Sequence, residues 1–291
     1  MVHIKRSNKN HDEFSPPPHI SWLVNTKKRI LTADGKEVEV LELQHELDEE
    51  ILSTWAKHFR NHYCPDGDID FLRGKKSRKD YLNDIKFPSS KTKLGPGIRA
   101  GDFGEILVAD YLEYILGYWV PRVRWSAKVV RDESPKGSDV IGFHLVNKEK
   151  PSSKDYLLVF ESKTGFSKGS DHRLQDAIND SAKDQIRIDE SLNFIKQKLY
   201  ERGEKFEALK VERFQSPVDM PYQQGYGATA LFSSEIYKND FIVNADTTKI
   251  PYLKDEYRPH PYRDNISLLV IKGVAMMELV NELYRRAADE A

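Results

Sequence analysis

Apolar residues at Leu47, Ile51, Trp55, Phe59 and Tyr63 recur at helical spacing and predict a helix over residues 47–63. Before it, ISWLV and KRILTADGKEVEVLEL predict short strands, with Asp34-Gly35 as a hairpin turn and Val38 and Val40 alternating with charges behind it. In GDFGEILVADYLEYILG the stripe Ile106, Leu107, Tyr111, Leu112, Ile115 and Leu116 predicts a helix over 101–117, closed by Gly117. YWVPRVRWSAKVV predicts a strand bending at Pro121, and DVIGFHLV and YLLVFE predict two more, separated by the polar turn NKEKPSSKD. One long helix follows on Leu174, Ile178, Ala182, Gln185, Ile188, Leu192, Ile195 and Leu199, with Gly203 past its end. GATALFSS and ISLLVIKG predict strands. Residues 274–288 predict a closing core helix carrying Met276, Met277, Val280 and Leu283.

Punctuation divides the chain. Pro16, Pro17 and Pro18 close an arm over 1–19 that reads as flexible, and FPSSKTKLGPG marks a boundary within 87–98. This predicts an N-terminal α+β accessory region, 20–98, and a main domain, 99–291.

The 291 residues are 39% hydrophobic and 31% charged, as in a soluble globular protein. No apolar run approaches a membrane span, the N-terminus lacks a signal-peptide core, and the single Cys64 excludes an internal disulfide and a cysteine-based zinc site. These features fit the cytoplasm. Net charge is −1, but over 73–99 Arg73, Lys75, Lys76, Arg78, Lys79, Lys86, Lys91, Lys93 and Arg99 face only Asp80 and Asp84. That excess can follow a phosphate backbone, with Lys75, Lys76, Arg78, Lys79 and Arg99 as candidate contacts, or be a solvated linker. His58 and His62 lie one helical turn apart. Two histidines so placed can bind a metal, but without a carboxylate ligand nearby they read as surface or packing residues.

The chemistry gathers at LLVFESKTGF. Glu161 and Lys163 share a strand face, and burying either without a partner is costly. If the turn between DVIGFHLV and YLLVFE is centred near Lys150 and Pro151, Asp139 falls opposite Glu161. Two adjacent carboxylates repel unless one is protonated or a cation joins them. A hard divalent ion, Mg²⁺ or Mn²⁺, takes such oxygens together with water and substrate phosphate. Lys163 can then orient a water or stabilise charge on a phosphoryl group. Glu105, on the preceding helix, can complete the metal shell if it faces the sheet. The competing reading of Asp139, Glu161 and Lys163 is a salt bridge at a sheet end.

These residues, in KGSD and FESK after a helix bearing Glu105, resemble the PD-(D/E)xK nuclease superfamily. That resemblance implies a restriction-endonuclease-like core, α-β-β-β-α-β, with a mixed central sheet flanked by helices. It also implies catalysis by Glu105, Asp139, Glu161 and Lys163, with Gln175 as a possible accessory residue on the following helix. Ser138 stands where some members have proline. HFRNHYC, IKFP, RAGDFGEIL, KGSDVIGFH and VFESKTG, in that order, resemble the HamA family of the Hachiman anti-phage defence system. This implies a metal-dependent DNase effector of low sequence specificity, restrained by a helicase partner, HamB. Two other readings are a catalytically silent nuclease-fold subunit and a stand-alone restriction-type endonuclease. Gly225 and Gly227 lack a dinucleotide-loop context, and His144 reads as a core histidine.

Overall fold

A computed structural model describes residues 15–254 and 256–291. Of the arm that reads as flexible over 1–19, residues 1–14 lie outside the described residues, and its end is fixed: His19 is buried, bonded to Asp110 and stacked on the Trp55 ring. Pro18–Trp22 forms a 3₁₀ turn where a strand is predicted, because Pro17 and Pro18 enter it with fixed backbone angles. Then β1 (Leu23–Leu31) and β2 (Glu37–Leu43) form the expected hairpin, with Gly35 at φ +80° in its turn. Asp48 caps α1 (Glu49–Tyr63) by accepting from the Ile51 N–H, which leaves Leu47 outside the helix and exposed. Short α2 (Asp66–Leu72) and α3 (Arg78–Tyr81) lead to α4 (Gly95–Asp110), which continues as a π turn, Tyr111–Ile115.

The hairpin strands are β3 (Val140–His144) and β4 (Tyr156–Gly165), followed by α5 (Arg173–Ser181), α6 (Asp184–Glu201) and α7 (Lys205–Glu212). After β5 (Gln223–Ser233) and α8 (Asp240–Val243), a small hairpin of β6 (Ile250–Pro251) and β7 (Tyr257–Arg258) precedes β8 (Ile266–Gly273) and α9 (Met276–Asp289).

Six strands make one mixed sheet in the order β1-β2-β8-β5-β4-β3. Its inner strands β8, β5 and β4 run parallel to one another and β8 to β2, while the β1–β2 and β3–β4 pairs are antiparallel. Helices cover both faces, so the inner strands are apolar on both sides. On one face, Trp55, Phe59, Phe103, Leu107 and Tyr284 of α1, α4 and α9 pack with Leu231 and Ile271. On the other, α5 lays Leu174 and Ile178 on Ala228, Ala230 and Val270, and α6 lays Leu192 and Leu199 on Leu157 and Val159.

Two further predicted elements take another form, and the predicted domain boundary falls inside a shared core. The strand predicted at 118–130 keeps one bridge, Trp119 to Phe143, and then turns. Pro121 has no N–H for a ladder, and Arg122 and Arg124 bind carboxylates instead. The long helix breaks at Ala182-Lys183, where the Ser181 hydroxyl bonds the Ile178 carbonyl and the His260 ring. Finally, the boundary near 87–98 does not separate two cores. β2 pairs with β8, and residues from Trp22 to Ala288 share one cluster.

Gly227 explains how β4 and β5 fit together. A Cβ there would lie 2.2 Å from Cζ of the buried Phe160 ring. Gly227→Ala is therefore expected to cost about 1–3 kcal/mol of stability through overpacking. Urea unfolding with an unchanged midpoint would contradict that packing.

Candidate active site

In β3–β4 Val140 pairs with Phe160, the register predicted from a turn at Lys150 and Pro151. One step beyond the ladder, the Asp139 and Glu161 side chains come within hydrogen-bond contact, which two carboxyl groups can make only around a proton. Glu161 is 3% exposed. Burial drives its pKa well above the ordinary value, and Asp139 and Asp184 push it further while Lys163 opposes. Lys163 Nζ lies 3.5 Å from Glu161 and 2.7 Å from Asp180 Oδ2. Burial alone would lower the pKa of its ammonium, but Asp139, Glu161 and Asp180 outweigh that and raise it. Lys163 is thus firmly cationic at neutral pH.

Asp139 is held on both oxygens. Its Oδ2 accepts the Ser162 N–H at 3.1 Å, and its Oδ1 accepts Arg124 Nη2 at 3.0 Å. Arg124 also donates Nε to Glu105 at 3.0 Å and reaches the carbonyls of Pro135, Lys136 and Ser138 at 2.8, 3.2 and 2.9 Å. It thereby ties the loop before β3 to α4. Glu105 reaches this place because Gly104 lets α4 sit close to β4: a Cβ at Gly104 would be 2.6 Å from Thr164 Cγ2. Burial raises Glu105 to about 8, with Arg124 opposing and Asp139 adding to the rise.

Glu105, Asp139, Glu161 and Lys163 all line one cleft of 940 Å³. The expected three-carboxylate shell does not close, however. Among the described residues only His19, His58 and Asp110 bring three ligand atoms within 4.8 Å of one another. Arg124 stands between Glu105 and Asp139, which leaves Asp139 and Glu161 as the close oxygen pair.

Other candidates fall elsewhere. Gln175 bonds Asn179 and the backbone of Asp246, away from the cleft. Arg99 is buried, donating to the Pro88 carbonyl and lying 4.5 Å over the Tyr284 ring, so it cannot present itself to a phosphate. Arg78 pairs with Asp70, Lys76 with Asp84 and Lys79 with Asp289, while Lys75 is exposed. His144 ends β3 at the end remote from Asp139.

Sequence reasoning passed over Arg124, Asp180 and Asp184. Asp184 begins α6 and is fully buried; it accepts from Ser138 Oγ at 2.9 Å, and burial lifts its pKa to about 7. Its Oδ2 has no donor and can bond Glu161 only if one of the two is protonated. The alternation Arg122-Val-Arg124-Trp and the four-residue spacing of Asp180 and Asp184 were the available signals.

A family model described as HamA matches residues 17–287. The chain belongs to the HamA family. Its members are components of the Hachiman anti-phage defence system. The match runs from the turn before β1 into α9, so it takes in both terminal parts of the shared core of this HamA-family chain. A search of curated proteins found no match.

The histidine pair of this HamA-family chain also resolves. His58 turns away from a shared site with His62, whose Nδ1 donates to the His58 carbonyl at 2.8 Å. Instead, His58 and His19 each approach one oxygen of buried Asp110, at 2.9 and 3.1 Å, and Arg122 balances that carboxylate at 2.7 Å. With its charge met and both oxygens taken, Asp110 is a brace joining the 3₁₀ turn, α1 and α4.

The buried acids set a pH dependence. Folded Glu105 keeps its proton to about pH 8, whereas its ordinary value is 4.5, so between these values the folded state binds more protons. Metal-free stability must therefore fall as pH rises through that window. Buried His19, His62 and His260, with lowered pKa values, slope the other way only below their ordinary 6.5. Urea unfolding in EDTA at pH 6.5 and pH 8 should show the fall, and Glu105→Gln should make it shallower. A flat or rising profile in the wild type would contradict the burial of these acids as carboxylic acids.

Proposed function

We propose that this chain is a metal-dependent DNA nuclease, the effector of its defence complex, restrained by a helicase partner such as HamB. The observation that carries the reading is the contact of Asp139 with Glu161 beside Lys163 at the end of β3–β4. The order α4, bridge strand, β3, β4, α5–α6, β5 supports a restriction-endonuclease-like core whose first strand is reduced to one bridge.

The donor set fits a hard divalent ion. Asp139 and Glu161 offer oxygens that repel each other, and Asp184 adds a further buried acid beside them. Mg²⁺ or Mn²⁺ suits such oxygens, needing only one or two carboxylates alongside water and phosphate. When bound, the ion supplies Lewis-acid polarisation of a phosphoryl oxygen and lowers the pKa of a water. Asp139 and Glu161 would hold it. Glu105 acts through Arg124, which fixes the angle of Asp139. Lys163, cationic and gripped by Asp180, is no base; it steadies the negative charge that grows on the phosphoryl oxygens and orients the attacking water.

A silent interaction subunit is the second reading, and one observation favours it. Arg124 already gives positive charge to Glu105 and Asp139, which reduces the need for a metal there.

Supercoiled plasmid incubated with the protein, with and without its helicase partner, in Mg²⁺ or EDTA, separates the two. The nuclease reading expects metal-dependent degradation that falls by at least about 100-fold in Lys163→Ala, the scale of losing one charge-stabilising donor. Wild-type-like degradation by Lys163→Ala would overturn the site. No cleavage by the wild type in any arm would favour the silent subunit.

A further inference from the structure

Beyond Lys163 and Asp180 the cleft continues into a second groove of 390 Å³. Lys163, Arg173 and Asp180 line both, so the two form one trough that passes over α5 to the β6–β7 hairpin. The second part is walled by four cations, Lys163, Arg173, Lys183 and Arg258, against two carboxylates, Asp176 and Asp180, an excess of two positive charges. Both acids are already engaged. Asp176 pairs with Arg173 at 3.0 Å, and Asp180 takes Lys163 and Lys183 at 2.7 and 2.5 Å.

Arg258 is exposed and has no carboxylate partner among the described residues; its guanidinium lies 4.6 Å over the Tyr252 ring. Stacking of this kind pre-orients the planar fork that binds phosphate oxygens in pairs. Arg173 Nε is buried and likewise lacks an acceptor. An excess of positive charge with donors to spare calls for an anion. Continuity with a cleft suited to a phosphodiester indicates which one.

We propose that this trough is a nucleic-acid backbone subsite, in which Arg173, Lys183 and Arg258 hold phosphates farther along the strand whose scissile phosphate lies at Lys163. The inference rests on the nuclease reading for its choice of ligand. It also moves the backbone contact away from residues 73–99, where Arg99 is buried against the Tyr284 ring.

The test is binding of a fluorescein-labelled 20-nucleotide DNA, single-stranded and duplex, by anisotropy in Ca²⁺ over a range of salt. Wild type, Arg258→Glu, Arg258→Lys and Lys75→Glu are compared. Arg258→Glu should bind about tenfold more weakly, and its log affinity should fall less steeply with log salt, by about 0.7 on the single strand and about 0.9 on the duplex for each phosphate it no longer neutralises. Arg258→Lys should restore most of the affinity, and Lys75→Glu, an equal change of charge on the other surface, should stay within about twofold of wild type. Equal affinity and slope for wild type and Arg258→Glu would overturn the trough. So would a weakening in Lys75→Glu as large as that in Arg258→Glu, or no binding by wild type in either form. Plasmid cleavage, read separately, decides the nuclease reading: weakened binding in Arg258→Glu without cleavage by wild type would leave a nucleic-acid site without the chemistry.

Discussion

One guanidinium organises the centre of this protein. Arg124 is buried, and each of its contacts goes to a group that would otherwise be misplaced: three carbonyls of the loop before β3, the Glu105 carboxylate on α4, and the Asp139 carboxylate at the mouth of the sheet. Removing Arg124 or Asp139 from their buried pair costs about 3–5 kcal/mol, because the other charge is left without compensation; Glu105 accepts from the guanidinium as a neutral acid below about pH 8. The loop, the helix and the β3–β4 hairpin therefore keep their mutual placement through one side chain. That placement brings Asp139 against Glu161.

The surplus of acid near this point gives the site its character. Glu105, Asp139, Glu161 and Asp184 gather around Arg124 and Lys163, with Glu161 and Asp184 competing for a proton. A structural core gains nothing from a buried carboxyl oxygen without a donor, as Asp184 Oδ2 is. A cation site needs such groups, and the apolar layers on either face of the sheet hold them in place. The second groove differs: there the cations exceed the acids, whereas the charged residues that line the first cleft balance.

Much of this was legible in the chain. The β3–β4 register followed from where the polar turn lies, so Asp139 against Glu161 needed only the antiparallel geometry of a hairpin. Helices α1, α4 and α9 followed from their apolar stripes. What the pattern could not carry were choices made by polar side chains at long range. Arg122 and Arg124 take carboxylates from α4 and its π turn and so draw the expected strand out of the ladder. Ser181 breaks the expected long helix by bonding backward, and the break sets Asp180 and Asp184 at the site. A single apolar pattern also cannot say that β2 pairs with β8, more than 200 residues away, so the predicted accessory region proves part of the same sheet. The basic run at 73–99 left two readings open for a similar reason, since its acidic partners Asp70 and Asp289 lie outside it.

The central claim is that Asp139 and Glu161 hold a divalent cation. Calorimetric titration of Mn²⁺ into the wild type and into Asp139→Asn tests it without requiring a nucleic acid or a partner. The account predicts saturable binding in the wild type and at least about tenfold weaker binding when one of the two ligand carboxylates is removed. Equal binding by the two proteins, or none by the wild type, would contradict it and leave Glu161 and Lys163 as a buried salt bridge at the end of a strand.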